Sequence, residues 1–381
     1  MKTGQTEAAS VREILARYRA DAPLARAFTL PAPFYTEPAI ADAEREAVFA
    51  RSWQMVGRLD QLRLAGDYVT AEVAGEPVVV VRDADGVLRG FFNVCRHHAA
   101  AVLTASEGNA PHFVCPYHGW TYALDGALEA TPQLAGICDF DTRDNGLVPL
   151  EIATWEQWVF ARLVPGGPSL PDFLGTPLVD QVRALNLPAL RFVERRRYAL
   201  DCNWKVYVDN YLDGGYHVPH LHHGLDSVLA PGRYTITNGE HCCVQSSAIR
   251  TRDAANPTAA VRQGESAHYV WIHPNFMINW YEGVMDTNLV VPLGVERTDV
   301  VFDYWFADDG DAAHERNRDS IAVSERIQDE DAAICASVQR GLRSRAYVAG
   351  RLSPRREAGE HLFHRLVAAD LTAALRCPTP R

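Results

Sequence analysis

The sequence predicts an α+β fold in two parts, a small all-β segment followed by a larger one whose antiparallel sheet is backed by helices. Three observations carry this. Short alternating runs separated by turn residues fill residues 40–160. A Pro/Gly break, Val164-Pro165-Gly166-Gly167-Pro168, follows them. Beyond the break, strand patterns between 190 and 307 give way to two long stretches of helical periodicity.

In chain order, residues 10–20 read as a short helix capped by Ser10, followed by a Pro-containing linker to about 39. Asp67 to Val73 alternates as a half-buried strand does, and Pro77 to Val81 is a continuous apolar run suited to burial on both faces. Arg82-Asp83-Ala84-Asp85-Gly86 turns the chain into a strand from Val87 to Val94, and Thr121 to Leu128 reads as a hairpin. After the break come an arginine-rich strand (Leu190 to Leu200), a helix entered at Asn203 and strands between 230 and 307. Helices follow over about 312–342 and 357–375. The expected division is 1–39 (helix and linker), 40–163 (the all-β domain) and 164–381 (the α+β domain).

The chain of 381 residues is 47% hydrophobic and 22% charged, enough to bury a sizeable core. A net charge of −11 and the lack of a basic run argue against a nucleic-acid partner. No apolar run approaches a membrane span, and the start lacks the apolar stretch of a signal peptide. Six of the eight cysteines (Cys138, Cys202, Cys242, Cys243, Cys335 and Cys377) are scattered without the look of a disulfide framework, so a reduced, cytoplasmic protein is expected.

The densest chemistry lies in two pairs, Cys95-Arg96-His97 and Cys115-Pro116-Tyr117-His118. Two thiolates and two imidazoles at C-x-H and C-x-x-H spacing suit a Rieske-type [2Fe–2S] centre, with two cysteines on one iron and two histidines on the other. A Cys2His2 zinc site is the competing reading, but such sites usually pair cysteine with cysteine and histidine with histidine. Gly119 fits the tight turn that each pair needs. Positions 100 and 117 are Ala and Tyr, so no extra cysteines brace the loops, and a low cluster potential is expected.

The second patch runs from Asn203 to His222. Asp209, Asp213 and His217 are four residues apart and would line one helix face. Pro219 forces a turn that can bring His222 back to an ion held by His217. Two histidines with a carboxylate form the facial triad of non-heme Fe(II) oxygenases. For the third ligand, Ile327, Ile334, Val338 and Leu342 form an apolar stripe, with Asp331 near its centre and Glu330 well to its side. A carboxylate on a core-facing stripe needs a cation, whereas at the helix edge it would simply meet water. His220 and His223 compete with His222. His98, His112, His241, His268, His273, His314, His361 and His364 are read as hydrogen-bonded or exposed.

With both sites in view, the chain resembles the large (catalytic, alpha) subunit of the Rieske non-heme iron oxygenases, and within them the choline monooxygenase group. The resemblance runs from about Phe34 to the last helix. It rests on the two cluster pairs, on Asn203-Trp204-Lys205, and on Asp209-Asn210-Tyr211-Leu212-Asp213-Gly214-Gly215-Tyr216-His217-Val218-Pro219. Pro274 to Asn279, Asp286-Thr287-Asn288-Leu289-Val290, and Glu330-Asp331 followed by Val338 to Leu342 complete it. It implies a Rieske domain joined to a helix-grip (START/Bet v 1-like) catalytic domain. It also implies a homotrimer in which one subunit's cluster reduces its neighbour's iron, and electrons from a ferredoxin or flavin reductase, ultimately NAD(P)H. The cofactors implied are the cluster, mononuclear Fe(II) and O2 as co-substrate.

Two departures matter. The family's bridging aspartate often stands three residues before the first iron histidine, where this chain has Gly214. Asp213 is taken as the bridge, with Asp209 in reserve and Asn210 beside them in the candidate catalytic set. The first cluster loop reads His97-His98-Ala99, where many members have arginine and glycine after the ligand histidine.

The expected reaction is hydroxylation or oxidative demethylation of a small substrate, first a choline-like quaternary ammonium compound and next an aromatic ring. A Rieske electron carrier without oxygenase activity is the reading from another class; it would not need His217, His222 and Asp331 together. A quaternary ammonium head favours aromatic faces and a carboxylate. The strand from Phe276 offers both, and Phe276, Trp280, Tyr281 and Glu282 are the candidate pocket residues.

Overall fold

The computed structural model describes residues 11–230, 232–250 and 256–376. The chain divides into two compact units, one running Phe49–Leu170 and the other joining Met1–Val48 to Pro171–Arg381.

The Phe49–Leu170 unit is all-β. Its strands are β1 (Gln54–Arg58), β2 (Asp67–Val73), β3 (Glu76–Arg82), β4 (Leu88–Phe92), β5 (Glu107–Asn109), β6 (Phe113–Val114), β7 (Thr121–Tyr122), β8 (Leu128–Ala130), β9 (Pro149–Trp155) and β10 (Trp158–Arg162). Seven form an antiparallel sheet in the order β1-β10-β9-β4-β3-β2-β5, and β6-β7-β8 form a small second sheet. The apolar run in β3 is buried on both faces. Val78 and Val80 pack with Val56, Leu62 and Val69, while Val79 and Val81 pack with Phe91, Cys95, Cys115, Trp120 and Tyr122. Each buried valine contributes on the order of 1.5 kcal/mol or more. One strand thus ties the general core to the floor of the cysteine loops.

The boundaries differ from the expected 40–163. The Pro/Gly segment is bound to this unit: Trp53 Nε1 and Arg162 Nη1 both donate to Pro168 O, at 3.1 and 2.7 Å. Residues 40–48 group instead with the other unit, because the buried ammonium of Lys205 requires a counter-charge there. Glu44 supplies it at 2.7 Å and also accepts from Trp204 Nε1 at 2.8 Å.

The second unit begins, among the described residues, with helical turns over 11–15; the expected cap, Ser10, lies outside the described residues. Its sheet comprises β11 (Arg191–Leu200), β12 (Thr235–Asn238), β13 (Cys242–Ala248), β14 (Ser266–Ile272), β15 (Phe276–Tyr281), β16 (Val284–Gly294) and β17 (Arg297–Phe306). The order is β11-β17-β16-β15-β14-β13-β12, antiparallel throughout. The arginines of β11 sit on this edge in ion pairs, Arg195 with Asp303 at 2.6 Å and Arg197 with Asp299 at 2.9 Å. Helices α1 (Trp204–Leu212), α2 (His314–Leu342) and α3 (Ala358–Arg376) pack with this sheet, and α2 and α3 each pack with α1. Asn203 caps α1, its side chain accepting from Lys205 N at 3.1 Å.

Two sequence expectations are corrected here. The α2 stripe is not the core face, since Ile334 and Val338 are 39% and 45% exposed. The buried face carries Ile321, Gln328, Cys335, Gln339 and Leu342. Its glutamines are tolerated because they are bonded: Gln328 Oε1 accepts from Tyr207 OH at 2.7 Å, and Gln339 Oε1 from Asn203 N at 2.9 Å. Nor do Asp209, Asp213 and His217 share one helix. Helix α1 ends at Leu212, and Gly214 and Gly215, at φ 70° and 67°, turn the chain away before His217.

Candidate metal centres and substrate pocket

The two cysteine loops are the same turn built twice. Cys95 N donates to Ala100 O and Ala99 N to Cys95 O; Cys115 N donates to Trp120 O and Gly119 N to Cys115 O, all at 2.8–3.0 Å. Each loop places its fifth residue in the left-handed region, Ala99 at φ 59° and Gly119 at 71°. Only the second has the residue that adopts this region without strain. Cys95 Sγ lies 3.3 Å from Tyr122 OH, which also accepts from Arg96 N at 3.0 Å. Burial works against a Cys95 thiolate, but Tyr122, the backbone N–H groups of His97 and His98, and Cys115 outweigh it and lower the pKa. A thiolate is the form that binds metal.

Ring nitrogens of His97, His98 and His118 fall within 4.8 Å of one another. Distance alone does not choose between His97 and its neighbour. Burial does: His97 Nδ1 is buried with no hydrogen-bond partner among the described residues, whereas His98 is exposed. His97 also stacks on Trp120 at 4.6 Å, which fixes its ring. A buried nitrogen without a partner and a thiol biased toward its anion are what a cluster's ligands require, so these residues fit the group.

In the second unit, ligand atoms of His217, His222 and Asp331 also lie within 4.8 Å of one another. Both imidazoles are held from behind by carboxylates. His217 Nδ1 is 2.6 Å from Asp213 Oδ2, and His222 Nδ1 is 2.6 Å from Glu330 Oε2. This fixes each ring and leaves Nε2 for a metal, as outer carboxylates commonly do for metal-binding histidines. His222 Nε2 is 3.0 Å from Asp331 Oδ1, which also accepts from Asn210 Nδ2 at 2.7 Å. Burial disfavours a charged His222, yet Asp331 and Glu330 raise its pKa; this small volume favours positive charge. A ferrous ion fits this donor set. His220 and His223 are exposed.

Glu330 is a residue that sequence reasoning set aside. One position from Asp331 on the helix, it reaches the outer nitrogen of the histidine whose inner nitrogen Asp331 meets. Asp213 also accepts from the backbone N–H groups of Tyr216 and His217, which closes the turn after the two glycines. Asp209 is turned elsewhere: it accepts from Tyr35 OH at 2.7 Å and lies 2.9 Å from His364 Nε2, in a group with Glu360. The absence of a carboxylate at Gly214 has a local cause. A Cβ there would stand 2.1 Å from Arg356 O in a left-handed turn, so no side chain fits.

Beside the triad is an open pocket that His217, His222 and Asp331 themselves help to line. Its walls include Tyr211 from α1, Tyr234, and a row across the sheet. In that row Tyr269, Asn279 and Asp286 are cross-strand partners on β14, β15 and β16. Tyr269 and Tyr281 meet edge-on with their hydroxyls 2.8 Å apart, and Tyr234 lies parallel to Tyr269 at 6.4 Å. Of the expected pocket residues, only Tyr281 lines it. Phe276 and Trp280 belong to the opposite face of β15, where Trp280 meets the His268 ring, and Glu282 is in the β15–β16 turn. Period-two alternation separates these two faces; choosing the one with asparagine and tyrosine required knowing which side carries the triad.

Comparison with known proteins agrees with this architecture. Residues 52–147 match the Rieske [2Fe-2S] domain, and residues 187–373 the catalytic domain of the ring hydroxylating alpha subunit. The choline monooxygenase of Arabidopsis thaliana is 38% identical over 95% of this chain and 87% of its own length. The carnitine monooxygenase oxygenase subunit of Escherichia coli K12 is 33% identical over 84% of this chain and 86% of its own. Among solved structures, the quaternary ammonium Rieske monooxygenase CntA in complex with L-carnitine superposes with a TM-score of 0.79 at 29% identity, covering 91% of this chain and 96% of that one. No helix among the described residues is long and apolar enough to cross a membrane. The chain therefore belongs to the Rieske non-heme iron oxygenase alpha subunits, oxidoreductases that combine a [2Fe–2S] cluster with a mononuclear iron.

Proposed function

We propose that this chain is the oxygenase component of a monooxygenase acting on a small quaternary ammonium compound, choline or a close relative. The observation that carries the reading is the pocket beside the His217–His222–Asp331 triad, lined by Tyr211, Tyr234, Tyr269 and Tyr281. Faces of electron-rich rings attract a cation that cannot donate hydrogen bonds, which is the character of a trimethylammonium group. The names of the relatives point the same way: choline and carnitine monooxygenases both act on such compounds. The tyrosine wall would also stack an aromatic ring, but the buried Asp286 carboxylate among these rings disfavours a neutral guest.

In this reading Cys95, His97, Cys115 and His118 hold the cluster, and His217, His222 and Asp331 hold the iron. When bound, the two centres supply electron transfer and O2 activation; the balance is substrate C–H, O2, two electrons and two protons giving C–OH and water. Asp213 and Glu330 keep both imidazoles in the tautomer whose Nε2 is free, and Asn210 aims the Asp331 carboxylate. The tyrosines orient the substrate so that its C–H bond faces the triad. Asp213, with its side chain 14% exposed, is the proposed bridge to a neighbouring subunit's cluster in a homotrimer. A ferredoxin or flavin reductase drawing on NAD(P)H is the proposed donor. The free cysteines suit a reducing compartment, and the proposal keeps the chain in the cytoplasm.

The test is oxygen uptake by the reconstituted system with choline, carnitine, glycine betaine and simple aromatics, scoring product against peroxide. Product formation matching oxygen consumption is expected with a quaternary ammonium compound. Tight coupling to an aromatic, with peroxide from every ammonium compound, would overturn the reading.

A further inference from the structure

We propose that Asp286 is the specificity-determining residue of the pocket, its carboxylate seating the positive head of the substrate so that the site selects for charge as well as shape. This inference rests on the quaternary ammonium reading above and extends it to one atom group. Asp286 is 5% exposed and lines the pocket. Strand register places it between Asn279 on β15 and Tyr304 on β17, in the row that begins with Tyr269. Its Oδ1 accepts a long hydrogen bond, 3.2 Å, from Asn279 Nδ2. That amide is shared with Asn288 Oδ1 at 3.0 Å, while Asn279 Oδ1 accepts from Tyr211 OH at 3.0 Å. The amide is thus held in place and holds Asp286 in turn.

The carboxylate nevertheless has no ion-pair partner within 4 Å among the described residues. The cation that most offsets its burial is Arg262, which lines the same pocket without touching the carboxylate; its hydrogen bonds go to neutral serines, and its Nε has no partner among the described residues. Its Nη1 donates to Ser320 Oγ at 2.5 Å, its Nη2 to Ser324 Oγ at 2.7 Å, and its guanidinium lies over the Tyr281 ring at 4.9 Å. A buried carboxylate without a direct ion pair is costly, and burial pushes its pKa up against the pull of Arg262, Asn279 and Asn288. A purely structural role, tying β15 to β16, would be served equally by asparagine. A carboxylate in a pocket lined by Tyr211, Tyr269 and Tyr281 is instead a place where an incoming cation recovers the cost of burial. The rings surround the methyl groups while the charge is met at Asp286.

The test uses two probes of one shape: choline, and 3,3-dimethylbutan-1-ol, in which carbon replaces the charged nitrogen. Equilibrium dissociation constants for both are measured on the holoenzyme without reductant, with the cluster's visible spectrum as the check on folding. Wild type is expected to prefer choline by about 30-fold or more, the scale of leaving one member of a buried charge pair unmatched. Asp286→Asn is expected to bring the two constants within about 3-fold, and Asp286→Glu to retain most of the preference. Equal binding of the probes by wild type overturns the proposal without any variant. An Asp286→Asn protein that keeps the preference, or an Asp286→Glu protein that loses it, also overturns it. If no trimethylammonium compound binds at all, the functional reading fails with it; if they bind with a preference indifferent to position 286, only the assignment to Asp286 fails.

Discussion

The cluster loops and the substrate pocket are built on opposite plans. In the loops, the residues proposed to hold the cluster lie within two six-residue turns, and four backbone hydrogen bonds shape both. In the pocket, the lining comes from α1 and the segment after it, from strands of the sheet and from α2, spread from Tyr207 to Asp331. A local site survives changes elsewhere in the chain, because its geometry is written in its own backbone. A site assembled across a sheet depends on register and on which face meets the metal. The mononuclear triad is intermediate: two histidines are five residues apart, and the carboxylate comes from a helix more than a hundred residues on.

If that contrast is right, damage to the triad leaves the cluster untouched. The largest effect is expected for Asp331→Ala, which removes the proposed third ligand and the partner of Asn210. Steady-state turnover is expected to vanish while the cluster's absorbance and electron paramagnetic signal persist; turnover within tenfold of wild type would break the assignment. Asp213→Asn comes next. Its single amide oxygen can keep only one of the two backbone hydrogen bonds that Asp213 accepts on separate oxygens, and it weakens the hold on His217 Nδ1, so a loss of about 10–100-fold in turnover or iron affinity is expected. Single-turnover and steady-state rates together sharpen the point: a positioning role lowers both, and a role in reaching the neighbour's cluster lowers steady-state turnover more.

The smallest effects concern the twin loops. Gly119→Ala is expected to cost about 1–2 kcal/mol of stability, because it imposes at Cys115–Trp120 the strain that Ala99 bears in the first loop. Ala99→Gly relieves that strain and is expected to gain up to about 1 kcal/mol. Thermal unfolding of the two variants measures the asymmetry, and changes of the same sign in both would contradict the equivalence of the loops.

What the sequence made legible follows the same division. The capped entry at Asn203, the doubly buried β3 and the turn that returns His222 to His217 are local signals, and all are present in the structure. Asp331 shares a stripe with Ile334 and Val338, which are exposed, yet the carboxylate still meets His222. Helical spacing located the right region of α2 because Asp331 lies between that exposed stripe and the buried glutamine face. The rest was out of reach for physical reasons. Which face of β15 lines the pocket depends on packing against α1, the turn after Leu212 depends on Arg356, and the outer role of Glu330 depends on where His222 points.

The central claim is that two separate iron centres, one on local turns and one assembled from remote residues, share one chain. Iron and acid-labile sulfide analysis of the reconstituted protein tests it most directly, with His217→Ala beside wild type. The account predicts about three irons and two sulfides per wild-type chain, and about two of each in the variant with the cluster spectrum unchanged. Two irons in wild type, or loss of the cluster together with His217, would contradict it.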